Sequence, residues 1–169
     1  MQEIVIRHEM NCDEDTYWYK CVFDDGYNGK LYLQELKFPE YALEKYEQTD
    51  TSITRRVRVA PKIPPLPGPL KKVIGDGLAY TEVGTFDRAK KRYVFTATPN
   101  ALGDKATTCG EMWVETLGEK RIARVARVKV HVKVFAIGGL IEDQILNNLR
   151  SSYEAAAAFT NRWVAEKGY

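Results

Sequence analysis

Arg124 raises the sharpest chemical question in the chain. It shares a period-two alternation with Val128, Val130 and Val132, while Lys129 and Lys133 fall on the opposite face. Either a bulge interrupts the strand between residues 124 and 127, or the guanidinium points inward. An inward Arg needs a carboxylate partner or an anionic ligand group to offset its desolvation. Both readings stay open from the residues alone.

Other candidates for chemistry are few. Glu82, Glu111 and Glu115 are strand carboxylates, and Tyr80 and Tyr93 could donate hydrogen bonds. Glu111 and Glu115 share a face with Trp113 between them, an arrangement common on solvent faces. General acid–base work needs perturbed groups and a substrate within reach, and neither can be read from spacing. The chain has no GxSxG, HExxH, glycine-rich phosphate loop or paired His and Cys arrangement, so no catalytic residue is assigned and no cofactor is expected. His8 and His131 are the two histidines, and Cys12, Cys21 and Cys109 lack CxxC spacing, so no metal site is expected either. The cysteines read as partly buried free thiols in a reducing compartment.

Twenty-five Lys and Arg against 23 Asp and Glu leave a net charge of +2, which gives no sign of a nucleic-acid partner. Hydrophobic residues make up 44% of the chain, enough for a folded core. MQEIVIRHEM has no signal-peptide pattern, and no apolar run approaches the roughly 20 residues that span a bilayer. A soluble, cytoplasmic protein is expected, one still able to touch a membrane surface.

The elements that position these residues follow from periodicity. Ile4 and Ile6 begin a strand. Asn11 reads as a helix N-cap with Glu14 three residues on, and the helix should present Tyr17, Cys21 and Trp18 to the core. DDGYNG breaks it, and a second short helix follows over 30–36. Strands are predicted over 41–48, 53–59, 78–86, 92–98, 107–116 and 121–135, with antiparallel pairing across short links. From Ile141 the period becomes helical. Ile141, Ile145, Leu149, Ser152 or Tyr153, Ala156, Phe159 and Trp163 share one face, and Gly168 is the stop. This terminal helix should be roughly 40 Å long.

PKIPPLPGPLKKVIG, residues 61–75, joins prolines, Ile63, Leu66 and the pair Lys71 and Lys72. It reads either as a rigid connection or as a mouth that sets apolar tips into a membrane while the lysines meet anionic lipid. Its PxxP spacings also suit a polyproline helix for an SH3-like partner.

The β-α-α-β(6)-α order and the long terminal helix resemble the START-like, or helix-grip (SRPBCC), superfamily, which includes lipid-transfer domains, pollen allergens and polyketide cyclases. IPPLPGPLKKVIGDGLAYTEVGTFD, residues 63–87, is similar to a segment of an uncharacterised bacterial branch and, more faintly, of PRELI-type lipid-transfer domains. The resemblance covers the whole chain, 1–169, as one START-like domain. It implies an α+β fold in which a curved antiparallel sheet of about seven strands wraps the long helix, with two short helices after the first strand. It also implies an apolar ligand, lipid-like, held without chemistry under the helix. The cavity residues would be Tyr93, Phe95, Trp113, Arg124, Val128, Val130, Val132, Ile145, Leu149 and Tyr153, with Arg124 at an acidic headgroup. Trp113 and Met112 lie on opposite faces, and which of them points inward is open. Ile63, Leu66, Lys71 and Lys72 would form the gate or membrane contact. The alternatives are a polyketide-cyclase-like enzyme and a packed interaction module without ligand.

Overall fold

The structure, a computed structural model, describes residues 1–62, 65, 68–75 and 78–169. β1 (Gln2–Met10) turns Ile4, Ile6 and Met10 into the core by simple alternation. Asp13, and not Asn11, caps the next helix, α1 (Glu14–Thr16): its carboxylate accepts from Thr16 N at 2.7 Å. Asn11 N instead donates to Asn161 Oδ1 at 2.8 Å, a tie to the C-terminal helix. The first helical stretch ends at Val22, just before DDGYNG as expected, but the next one begins within that stretch and not near residue 30. Asp24 accepts from Tyr27 N at 2.7 Å and starts α2 (Asp25–Gly29), the Asp acting as cap where a turn was expected.

Both short helices widen into π-helical turns, Tyr17–Val22 and Lys30–Glu35. Phe23 N reaches back five residues to Trp18 O, and Leu36 N to Leu31 O, each at 2.9 Å.

Seven strands then form one antiparallel sheet in the order β1-β7-β6-β5-β4-β3-β2. They are β2 (Glu40–Gln48), β3 (Ser52–Ala60), β4 (Tyr80–Asp87), β5 (Arg92–Pro99), β6 (Ala106–Gly118) and β7 (Arg121–Val132), besides β1. A short helix, α3 (Gly68–Ile74), lies in the proline-rich connection between β3 and β4, where no helix was expected. The last strand ends three residues before Phe135, which is 98% exposed.

α4 (Gly138–Lys167) spans 30 residues, about 45 Å at 1.5 Å each, and Gly168 ends it in the left-handed region at φ 70°. It packs on β1, β7 and the second π-helical turn. Glu142, near the start of the helix, is buried and accepts from Val132 N at 2.8 Å, closing the end of β7. Ala156 and Ala157 let α2 approach, so that Tyr27 meets the Thr160 hydroxyl at 2.7 Å and packs on Phe159 and Trp163. The core centres on Trp18, Phe86, Tyr93, Ile53 and Ile122. Cys12 and Cys21 are buried free thiols, and Cys109 is half-buried. No described helix is long and apolar enough to cross a membrane.

Candidate ligand-binding cavity

Between the sheet and α4 lies a cavity of about 200 Å³. Of the expected residues, Tyr93, Phe95, Arg124, Ile145, Leu149 and Tyr153 line it. The α4 stripe divides by depth. Ile141 and Leu146 are buried in the core, whereas Ile145, Leu149 and Tyr153 remain half-buried because they face the cavity.

The other four expected residues take different places. Val128, Val130 and Val132 do point inward, but they pack in the core with Ile4, Ile6 and Ile141. α4 rests directly on β1 and β7, which leaves no room above them. Trp113 lies on the outer face, with the Arg92 and Arg127 guanidiniums 4.7 and 5.6 Å from its ring, and Met112 takes the inward position. Glu111 binds those same two arginines and Glu115 binds Arg7, so both are solvent-face ion-pair partners. Of the gate residues, Ile63 and Leu66 lie outside the described residues. Lys71 and Lys72 are exposed on α3, whose flanking residues Pro61 and Leu78 line the cavity.

Arg124 points inward. The register of β7 against β1 and β6 runs unbroken through residues 122–132, so no bulge turns it out. It is 4% exposed and forms no ion pair with a carboxylate among the described residues. One terminal nitrogen, Nη2, lies 2.9 Å from His8 Nδ1 and donates to Tyr153 O at 2.9 Å, and Nε has no partner. The guanidinium sits 4.6 Å over the Tyr153 ring. Burial, and then the Arg124 charge, lower the His8 pKa against a smaller opposing pull from Glu154. His8 is therefore neutral, with Nδ1 free to accept from Arg124.

A second polar group sits in the same cavity. Arg55 donates to Tyr93 Oη at 3.0 Å, Val22 O at 2.7 Å and Glu82 Oε1 at 3.3 Å, and Tyr93 Oη donates to Glu82 Oε1 at 2.7 Å. Every member is satisfied, as a buried ionic network requires. In the sequence Arg55 stands out only as one basic residue among several. Its parity with Ile53, Val57 and Val59, all buried, is the signal that puts it inside. The cavity residues Tyr17, Val22, Tyr27, Leu31, Tyr32 and Leu36 were also missed. They recur at five-residue intervals (17 and 22, 27 and 32, 31 and 36), the spacing of a π-helical turn.

A curved antiparallel sheet closed by one long helix over a lined cavity is the START-like, helix-grip arrangement. Solved structures share it. TTHA0849 from Thermus thermophilus matches with a TM-score of 0.69 at 15% identity, over 99% of this chain and 100% of that one. The Zhui aromatase/cyclase from Streptomyces sp. R1128 matches at 0.68 and 14%, over 96% and 95%. A START superfamily protein from Mycobacterium smegmatis matches at 0.58 and 13%, over 92% and 97%. At such identities the likeness is one of fold. The chain belongs to the family described as Protein of unknown function (DUF2505), which matches residues 8–164. No curated protein matches it.

Proposed function

We propose that this chain binds a small hydrophobic molecule, lipid-like in its apolar body, with Arg124 meeting an acidic group on it. The carrying observation is that Arg124 is buried in the cavity wall, without a carboxylate partner and with Nε unpaired. A buried guanidinium is costly without a counter-charge, and a ligand carboxylate supplies one. The apolar remainder of the ligand adds about 25 cal/mol per Å² of buried surface. Carriage or sensing needs no further chemistry. The whole chain acts as one START-like domain in this reading, in the cytoplasm. The α3 segment with Lys71 and Lys72 makes transient contact with an anionic membrane, which changing both lysines to Glu should weaken in vesicle flotation.

A second reading, an enzyme of the polyketide-cyclase kind, is favoured by one observation: the Tyr93 hydroxyl stands between Arg55 and Glu82 in the cavity wall. Tyr93 and Glu82 are then the proton-moving pair, and the aromatase/cyclase among the fold neighbours is the analogue. A packed interaction module, by contrast, has no use for such a cavity.

Native mass spectrometry with organic extraction of co-purifying molecules is the first test. In titrations, Arg124→Ala should weaken an acidic apolar probe at least about tenfold and leave a neutral one unchanged. Equal loss for both removes the headgroup role. A protein that arrives empty and takes up no apolar probe overturns the binding reading.

A further inference from the structure

Six tyrosines line the cavity, and their hydroxyls are not equivalent. Tyr27 is bonded to Thr160, Tyr93 to Arg55 and Glu82, and Tyr17 to the Met112 sulfur at 3.5 Å. The hydroxyls of Tyr32, Tyr80 and Tyr153 have no hydrogen-bond partner among the described residues. They come from three separate elements, the second π-helical turn, β4 and α4.

Two of these rings are held in place. Tyr32 stacks on Tyr41 at 4.9 Å and 7° between planes, and Tyr153 lies beneath the Arg124 guanidinium at 4.6 Å. Burial raises the pKa of all three phenols, Tyr32 to about 12, so each is an O–H donor at neutral pH. Among its polar groups the wall therefore offers one cation without a carboxylate partner and three unbonded phenols from three separate elements.

We propose that the ligand is a compact ring compound carrying an acidic group and two or more further oxygens, in place of an unbranched acyl chain. This deepens the reading of the cavity as a ligand site and rests on it. An acyl carboxylate would satisfy Arg124 but set methylenes against three phenols, stripping each of water without returning a hydrogen bond. Carbonyl or hydroxyl oxygens spaced around a ring accept from them instead. A site built to hydrogen-bond such oxygens discriminates strongly against an analogue that lacks them.

Calorimetric titration with three carboxylates tests this: decanoate, naphthoate and a dihydroxynaphthoate. The dihydroxynaphthoate should bind at least about tenfold tighter than naphthoate. The triple variant Tyr32→Phe, Tyr80→Phe, Tyr153→Phe should erase that difference while keeping naphthoate affinity. Each single variant, the recourse if the triple fails to fold, should lose about threefold for the dihydroxy probe alone. Decanoate or naphthoate binding as tightly as the dihydroxy probe overturns the inference and leaves the cavity reading intact. So does an unchanged preference in the folded variants. Failure of all three probes to bind overturns the cavity reading together with it.

Discussion

Tyr93 lies across the backbone of Gly84 on the neighbouring strand, its hydroxyl filling the place that a β-carbon at residue 84 would take. On the other side of β5, the Phe95 ring lies in the same way over Gly110 of β6. The two rings stack 5.9 Å apart at 24° between planes. Glycines in a strand here admit close aromatic packing, and that packing leaves open space above the sheet.

Gly84→Ala should therefore act on the site as well as on the fold. The added methyl must displace Tyr93, which is 1% exposed and tied to Arg55 and Glu82. Overpacking of this kind costs about 1–3 kcal/mol. Urea unfolding should show that loss, and an apolar probe should bind more weakly. Unchanged stability would mean that the ring has room to move.

The Arg55 and Glu82 pair should show the asymmetry of buried ions. Glu82→Leu leaves a buried guanidinium without its counter-charge and should cost about 3–5 kcal/mol. Adding Arg55→Met should recover most of that loss. A double variant as unstable as the single one would show that the network holds the cavity wall by its hydrogen bonds more than by charge.

His8 makes stability depend on pH with a definite sign. Its folded pKa lies below 6.5, so at mildly acidic pH the unfolded chain binds more protons than the folded one. The contribution is fully present above about pH 6.5 and is lost as pH falls through the folded value. Protonation also removes the acceptor facing Arg124 Nη2. Between about pH 7.5 and 5, wild type should lose more stability than His8→Asn. Equal losses would place the pH response in other groups.

Asp24→Ala should cost about 1 kcal/mol by uncapping α2, while Asp24→Asn should retain nearly all of it. Because α2 carries Tyr27 and leads into Tyr32, probe binding should weaken in the Ala variant alone. Thermal unfolding with a matched titration reads both effects.

Much of this architecture was legible because its signals are local. Alternation along 92–98 and 121–132 groups Tyr93 with Phe95 and Arg124 with the valines of β7, while the unbroken register of β7 was needed to turn Arg124 inward. Four-residue recurrence from Ile141 to Trp163 identifies the inner face of α4. The short helices resisted the same treatment. Their period changes to five residues within a few turns, and Asp24 serves as a cap in a stretch that reads as a break.

Sequence by itself determined which residues share a face of each element, because that depends on the backbone repeat; it left open whether Arg124 points inward and which of Met112 and Trp113 does. Only the tertiary structure decided which inward residues meet empty space. Val128 and Val130 share the parity of Arg124, yet the valines are covered and the arginine faces the cavity, because α4 lies directly on that end of β7. The spacing between helix and sheet is set by residues remote in the chain, such as Tyr27 against Thr160, and by rings laid flat over Gly84 and Gly110. Those distances depend on how whole layers pack, and no local pattern encodes them.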